Sequence, residues 1–295
     1  MARAYSGSQK FRAHPCRIGL APRLCETAVV RSVEQAQRDV CAEMPLIGAE
    51  TVALAVALGR VLADDVVAGR PLPGFDNSAM DGFAVVAADG AGERPVVGAV
   101  MAGDRPEALR PGTCVRVMTG AMLPPGADAV VMFEDSRAAS SADRVWLPAA
   151  SIGDHVRRAG EDLALGSVAI ARGSPLDPGS IGVLAALGIS AVAVRRRPKV
   201  AVIATGDELV DVDTAPAPGQ LVNSSAYALT AQLALAGAEP VPLGIARDDL
   251  SQVTALVERA LAFDAVITTG GVSAGDKDLV LAALRAAGAE LGFWK

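Results

Sequence analysis

Two carboxylates, an amide and a hydroxyl lie within six residues of the segment 73–84, between turn-forming glycines. They belong to Asp76, Asn77, Ser78 and Asp81. Buried together, each of these groups would need a hydrogen-bond partner, so we expect an exposed, tightly turned loop rather than a core strand. Such residues also bond to their own backbone in turns. A ligand-binding loop and a purely structural turn are therefore equal alternatives from these residues alone.

A second polar loop follows an apolar run at 200–204 that is typical of a buried strand. Its residues are Thr205, Gly206, Asp207 and Glu208. In open α/β sheets, ligands bind beyond the carboxyl ends of the strands, so this loop is a candidate binding loop.

A third loop, at 268–278, joins a predicted strand to a predicted helix and is rich in glycine. Paired glycines let the backbone approach a ligand, and free N–H groups at a helix start attract anions. The spacing and the Asp278 after Lys277 exclude a Walker A motif, and a glycine turn needed only for tight packing is the alternative. The cofactor-binding candidates of both loops are Thr205, Gly206, Asp207, Gly270, Gly271, Val272, Ser273 and Gly275.

The acids of these two loops suggest a cation site. Asp207, Glu208 and Asp278 offer carboxylate oxygens, the ligands that hard divalent cations prefer. Taken singly, each acid would more often cap a helix or face solvent.

Composition excludes several classes of protein. Apolar residues make up 51% of the 295 residues but aromatics only 3%, which is typical of a multi-domain α/β or α+β protein with cores of Ala, Val and Leu. The net charge of −6 argues against nucleic-acid binding, and no segment approaches the roughly 18 apolar residues of a membrane span. The cysteines lack metal-binding or paired spacing, so we expect reduced thiols in a cytoplasmic protein.

Local signals predict the elements that would position the loops. Ser32 and Gln35 form a capping box that begins a helix, and Pro45 stops it. The apolar segment 52–62 is expected to become helical toward its end, before a strand at 65–68. Later, Asp177 and Pro178 begin a helix that Gly188 ends.

Between these helical segments, short Val-rich runs predict an inserted β-domain. The runs are 83–86, 96–101, 114–119, 129–133 and 145–147. Beyond a charged linker at 195–199, predicted strands alternate with predicted helices, which favours a parallel sheet with helices on its faces. The strands are 200–204, 241–245 and 265–269, and the helices are 224–236, 250–261 and 279–287.

The fold class is therefore α/β multi-domain: a discontinuous helical and extended domain with an inserted small β-domain, followed by a parallel-sheet α/β domain. The expected boundaries are a disordered extension at 1–28, a discontinuous linker and dimerisation domain at 29–70 and 160–195, the β-domain at 71–159 and the α/β domain at 196–295.

The segment 73–84 also resembles the signature of the molybdopterin molybdenumtransferases, the MoeA and gephyrin E-domain family. Further segments match that family in order. They are Arg116-Val117-Met118-Thr119-Gly120, Ala129-Val130-Val131-Met132, Arg157-Arg158-Ala159-Gly160-Glu161-Asp162, Thr205-Gly206-Asp207-Glu208, Arg247-Asp248-Asp249 and Gly270-Gly271-Val272-Ser273.

This resemblance implies a homodimer whose cleft lies between the β-domain of one subunit and the α/β domain of the other. It implies a Mg²⁺-dependent reaction that inserts molybdate into adenylylated molybdopterin and releases AMP. It also implies contacts with other cofactor-biosynthesis proteins. The catalytic residues implied are Asp81, Thr119, Asp162, Glu208 and Asp248, and the metal ligands are Asp207, Asp248 and Asp278.

The chain departs from the family pattern after Lys295, where the family continues into further pocket loops and a C-terminal β-domain. The sequence is thus expected to be C-terminally truncated, with an incomplete α/β domain. The alternative function is a non-catalytic or impaired molybdopterin-binding scaffold, because the missing loops line the family's pocket.

Overall fold

The computed structural model of the chain describes residues 32–270 and 279–289, which form five α-helices and seventeen strands. In chain order these are α1 (Val33–Glu43), β1 (Ala49–Ala53), β2 (Val66–Val67), β3 (Asn77–Ser78), β4 (Gly82–Val85), β5 (Gly92–Val100), β6 (Cys114–Val117), β7 (Ala129–Met132), β8 (Arg137–Ala138), β9 (Arg144–Leu147), β10 (Val156–Arg157), β11 (Val168–Ile170), α2 (Pro178–Ala186), β12 (Ala191–Arg195), β13 (Lys199–Thr205), β14 (Leu209–Val210), β15 (Leu221–Val222), α3 (Ser224–Leu235), β16 (Glu239–Ala246), α4 (Leu250–Ala260), β17 (Ala265–Thr269) and α5 (Leu279–Ala286). No helix within these described ranges is both long and apolar enough to cross a membrane.

Two helix starts follow the predicted capping chemistry. The Ser32 hydroxyl accepts from the Gln35 backbone N–H at 3.2 Å, and the Gln35 side chain accepts from the Ser32 N–H at 3.0 Å, which confirms the capping box. Asp177 caps α2 by accepting from the Ser180 N–H at 2.7 Å. Gly188 follows α2 with a φ of 77°, a left-handed conformation that glycine adopts without strain.

Residues before and after the inserted domain pair with each other. Antiparallel ladders join β1 to β12 and β2 to β11, so distant parts of the chain build one unit. Its core contains Leu62, Leu176, Leu184 and Val194, all at most 1% exposed. This pairing confirms the discontinuous architecture, while the exact domain boundaries stay predictions.

The prediction for segment 52–62 was wrong. The segment begins inside β1 and continues into a single 3₁₀ turn, Leu54–Val56, rather than a helix. At the end of the segment, Val61 and Leu62 form antiparallel bridges with Pro175 and Val194, and this tertiary pairing overrides the local preference.

The inserted domain is a six-stranded sheet of order β7-β4-β6-β5-β9-β8. Its pairs are antiparallel except β5 with β6. One face is filled by Val117, Val130 and their neighbours, the other by Phe83, Val131 and Leu147. The predicted all-β insertion is confirmed.

The third unit contains a parallel sheet of order β16-β13-β17. Helices α4 and α5 cover the face that carries Ala201 and Ile203, and α3 contacts β13 and β16. The chain enters at the central strand β13, moves to β16 on one side, and then crosses to β17 on the other. The carboxyl ends of β13 and β17 therefore mark the topological switch point, where open α/β sheets bind ligands.

The charged run at 195–199 links two units, as predicted, but its ends belong to β12 and β13 and only residues 196–198 connect them. The Arg195 guanidinium donates to the carbonyls of Ile47 and Ala63. Arg196 forms two hydrogen bonds with the Asp264 carboxylate, at 2.6 and 2.7 Å. These contacts fix the parallel-sheet unit to the strand that precedes it.

Candidate functional site

The first polar cluster is built around Asp81, at the start of β4. Its Oδ1 accepts hydrogen bonds from the Thr119 backbone N–H at 2.7 Å and from the Thr119 hydroxyl at 2.8 Å. No hydrogen bond from the described residues reaches Oδ2. The Thr119 backbone N–H, then its hydroxyl, and the nearby charge of Arg116 hold the pKa of Asp81 below its ordinary value. The group is thus an exposed, oriented carboxylate with one oxygen available to a ligand.

Close backbone packing fixes the position of Asp81. The carbonyl of Asp81 accepts from the Phe133 N–H at 3.0 Å, at the edge of the β4–β7 ladder. A Cβ on the next residue, Gly82, would lie 2.1 Å from the Val131 carbonyl oxygen. Only glycine allows β4 to approach β7 this closely, so Gly82 sets the point from which Asp81 projects.

The middle of the segment 73–84 does not match the expected exposed loop. Asn77 is 7% exposed and Ser78 is 1% exposed. Both lie in β3, which pairs with β10, and the Ser78 N–H and carbonyl bond to the backbone of the 119–121 turn. Pairing with a strand almost eighty residues later satisfies the backbone groups, so the segment is part structural strand and part exposed loop.

A return segment after β10 is tied to the same region. The Asp76 carboxylate accepts from the Ala159 N–H at 2.8 Å and from the Arg158 guanidinium at 2.6 Å, and both contacts lower its pKa. Asp162 forms an ion pair with Arg157, and its backbone N–H donates to the Leu72 carbonyl at 3.0 Å. The predicted residue Asp162 is therefore exposed but already paired.

The second cluster lies at the switch point of the parallel sheet. Thr205 is 6% exposed, and its hydroxyl donates to the Thr269 carbonyl at 3.3 Å, joining the ends of β13 and β17. A Cβ at Gly270 would lie 2.7 Å from the Thr205 carbonyl oxygen, and one at Gly206 would lie 2.5 Å from the Glu208 carboxylate. Both residues also have positive φ, 84° and 147°. Glycine is required at both predicted positions.

In the loop between β13 and β14, every carbonyl is bonded, but two N–H groups have no partner in the part of the chain that the structure describes. Its carbonyls at 206–209 accept, in order, from Leu209 N–H, Arg247, Leu221 N–H and Arg247. The N–H groups of Asp207 and Glu208 have no partner among the described residues. Successive free N–H groups attract anions, so this loop has donors available for a phosphate.

Asp207 and Asp248 lie next to each other. Asp207 Oδ1 accepts from the Asp248 backbone N–H at 3.0 Å, and both side chains are exposed. Asp249 instead caps α4 by accepting from the Gln252 N–H at 3.0 Å. Within 32–270 and 279–289, no three Asp, Glu, His or Cys side chains are grouped as a metal site. The predicted ligand Asp278 lies outside the described residues, as do Gly271, Val272, Ser273 and Gly275.

The two clusters lie on different units, and no hydrogen bond or ion pair among the described residues joins them. Asp81, Thr119 and Asp162 belong to the inserted sheet and its return segment. The Thr205–Glu208 loop, Asp248 and Gly270 belong to the parallel-sheet unit.

Comparison with known proteins assigns both units to one family. Residues 31–188 match the family described as "MoeA N-terminal region (domain I and II)", which is more than half of the chain. Residues 201–294 match the "Probable molybdopterin binding domain". The chain belongs to the MoeA family.

Curated MoeA relatives extend over most of the chain. The molybdopterin molybdenumtransferase of Bacillus subtilis is 40% identical over 277 residues, covering 89% of this chain. Molybdopterin molybdenumtransferase 2 of Mycobacterium tuberculosis is 42% identical over 262 residues, covering 85%. The chain spans 64% of the length of each of these relatives.

A solved MoeA structure has the same fold. The molybdopterin biosynthesis MoeA protein of Pyrococcus horikoshii superposes with a TM-score of 0.75 at 33% identity, covering 87% of this chain and 66% of its own. The α/β multi-domain MoeA architecture is therefore shown for this chain.

Sequence reasoning missed two groups that shape the MoeA clusters. In the sequence Asp76 is one polar residue among several, yet its carboxylate anchors the return segment. Arg247 belongs to a segment that resembles the family, yet its guanidinium binds two carbonyls of the 206–209 loop. The partners of Arg247 are backbone carbonyls, which every residue carries. No residue type in the sequence therefore indicates this contact.

Proposed function

We propose that this chain takes part in molybdenum cofactor biosynthesis by magnesium-dependent insertion of molybdate into adenylylated molybdopterin, with release of AMP. Both curated relatives named above are molybdopterin molybdenumtransferases. The observation that carries the proposal is the 206–209 loop, which combines two N–H groups that have no partner in 32–270 or 279–289 with adjacent exposed carboxylates at the switch point of the sheet. This combination suits a phosphate-bearing substrate and a divalent cation.

The residues of this loop fit the implied cation. Asp207 and Asp248 would hold Mg²⁺ through carboxylate oxygens, together with Asp278. When bound, Mg²⁺ would neutralise phosphate charge and stabilise charge that develops during adenylate cleavage. The Asp207 and Glu208 N–H groups would hold phosphate oxygens, and Gly206 and Gly270 would let the substrate approach the backbone.

On the inserted sheet, Asp81 would act as a fixed acceptor. Thr119 occupies only one of its carboxylate oxygens, so the other is free to orient a hydrogen-bond donor of the pterin or of a protonated oxyanion. Because its pKa is lowered, Asp81 would stay ionised throughout the neutral range. Asp162 and Glu208 are proposed as further residues of the same site.

A homodimer would bring the two clusters together. The absence of a bond between them within the described residues is consistent with a cleft in which each cluster faces the partner's complementary unit. Sedimentation or light scattering would give a dimer mass, and a monomer that is fully active would contradict this arrangement.

A reconstitution assay with adenylylated molybdopterin, molybdate and Mg²⁺ tests the function. We expect AMP release and active cofactor from the parent protein, and a loss of about 100-fold in Asp81→Asn. The asparagine retains an Oδ1 that can accept both Thr119 bonds, so the fold should persist. The matched control is Asp143→Asn, an exposed sheet-domain carboxylate that accepts from the nearby Ser141 hydroxyl.

Equal activity of the two variants would contradict the role of Asp81. Pterin binding without AMP release by the folded parent protein would instead support the scaffold alternative.

A further inference from the structure

Arg247 joins the end of one strand to the loop that follows another. It comes directly after β16, whose last residue, Ala246, accepts from the Gly206 N–H at 3.1 Å. From there, Arg247 Nη1 donates to the Asp207 carbonyl at 2.7 Å and to the Leu209 carbonyl at 3.0 Å. One guanidinium therefore spans the turn that carries Asp207 and Glu208.

The turn depends on this side chain more than on its own backbone. Its internal bond, from Leu209 N–H to the Gly206 carbonyl, is 3.4 Å long, which is beyond the usual range for N–H···O bonds. The two bonds from Arg247 are shorter and charge-assisted, a class roughly twice as strong as neutral hydrogen bonds. Loss of the guanidinium would leave the Asp207 and Leu209 carbonyls unbonded, and the Leu221 N–H would then hold the turn only through the Glu208 carbonyl between them, at 2.7 Å.

Arg247 binds the backbone and leaves the carboxylates free. Asp248 follows it in sequence and the Asp207 carbonyl accepts its hydrogen bond, yet it forms no ion pair with any described residue at the 4 Å limit of such pairs. Its position also sets that of Asp248, the next residue, whose N–H bonds to Asp207 Oδ1 at 3.0 Å. The side chain thus fixes the backbone that carries Asp207, next to Asp248, without neutralising either carboxylate through direct contact.

We propose that Arg247 is a positioning residue that holds Asp207 and Asp248 in a geometry competent for divalent cations. This inference rests on the proposed function of the 206–209 loop, which it deepens. Arg247 itself touches neither substrate nor cation.

The test compares Arg247→Met, which keeps a flexible unbranched stem but removes the donors, with Arg247→Lys, which restores donors. The matched control is Arg259→Met, an exposed arginine of α4 with no described ion pair. Mn²⁺ binding, followed by electron paramagnetic resonance of the free ion, is the probe, and it needs no substrate. Hydrogen exchange of the peptide covering 206–211 reports the order of the turn.

We expect Arg247→Met to weaken Mn²⁺ binding about tenfold or more and to accelerate exchange at the turn, as loss of an outer-shell partner does at metal sites. Arg247→Lys should restore affinity to within about threefold, because its ammonium can donate to the same carbonyls. Arg259→Met should match the parent protein in both measurements.

Unchanged Mn²⁺ affinity in Arg247→Met, a loss in Arg247→Lys as large as in Arg247→Met, or no binding by the parent protein would overturn the proposal. The AMP-release assay separates this result from the proposed function. A parent protein that binds Mn²⁺ in an Arg247-dependent manner but releases no AMP would refute the reaction and leave the positioning role in place.

Discussion

Substitution of Gly82 by alanine should destabilise the inserted sheet strongly. The added Cβ would lie 2.1 Å from the Val131 carbonyl oxygen, whereas contacts of real Cβ atoms essentially never fall below 3.0 Å. β4 and β7 would have to separate locally by almost 1 Å. β4 also pairs with β6 on its other side, so the strand cannot shift freely within the sheet.

The cost follows from the bonds that such a separation breaks. Lengthening by almost 1 Å removes about two backbone hydrogen bonds near Gly82, at roughly 1 kcal/mol each, and crowding adds about 1–3 kcal/mol. The expected loss in free energy of unfolding is therefore about 3–5 kcal/mol. For a protein of this size that corresponds to a melting temperature lower by roughly 10 °C.

Differential scanning calorimetry measures the loss, and hydrogen exchange of peptides from β4 and β7 locates it. Gly98→Ala is the matched control, because Gly98 lies in β5 of the same sheet and its added Cβ would meet no atom within 4 Å. It should change stability by less than about 1 kcal/mol. Melting temperatures for the two variants within roughly 2 °C of each other would refute the close-approach argument.

Three further predictions concern stability and reactivity. Arg196 and the Lys199 N–H lower the pKa of Asp264 to about 2, so this carboxylate should stabilise the protein above pH 4 and lose that contribution as the pH falls toward 2. In urea unfolding, Asp264→Asn should therefore lower the free energy of unfolding by about 1–2 kcal/mol at pH 7 and by almost nothing at pH 2. An equal loss at both pH values would contradict this prediction. Leu184→Ala should lower the free energy of unfolding by about 3 kcal/mol in calorimetry, because the side chain is fully buried and its removal leaves a cavity. A loss below about 1 kcal/mol would mean that the surrounding residues fill that cavity and would contradict the prediction. Burial raises the pKa of the Cys114 thiol to about 11, so iodoacetamide at pH 8 should alkylate exposed Cys41 long before Cys114, with peptide mass spectrometry as the readout and comparable rates as the contrary result.

Features set by neighbouring residues could be predicted from the sequence. The capping box at Ser32, the Asp177 cap and the closing Gly188 each depend on contacts within four residues or on the conformation of a single residue. The parallel sheet was predictable because buried strands read as continuous apolar runs and alternate with helical patterns.

The discontinuous domain was predicted, but the residues that its distant strands pair and cover were not. The segment 52–62 was expected to become helical toward its end, but its first two residues belong to β1, whose partner, β12, lies about 140 residues later. Asn77 and Ser78 were expected to be exposed because nothing nearby indicates that β10 covers them. In the candidate site, glycine and carboxylate positions were visible as residue types, whereas the bonds of Asp76 and Arg247 to backbone groups have no signature in the sequence.

The discontinuous pairing has a consequence for the order of folding. β2 and β11 are separated by about 100 residues, and closing so long a loop costs conformational entropy that grows with the logarithm of its length. Once the inserted sheet has formed, β3 and β10 hold its ends together, and only about 20 residues remain to be ordered. By the loop-length relation this lowers the closure cost by about 1.4 kcal/mol, or roughly tenfold in rate if closure limits folding. The inserted sheet thus assists the assembly of the domain that surrounds it, and variants such as Gly82→Ala should slow the folding of both.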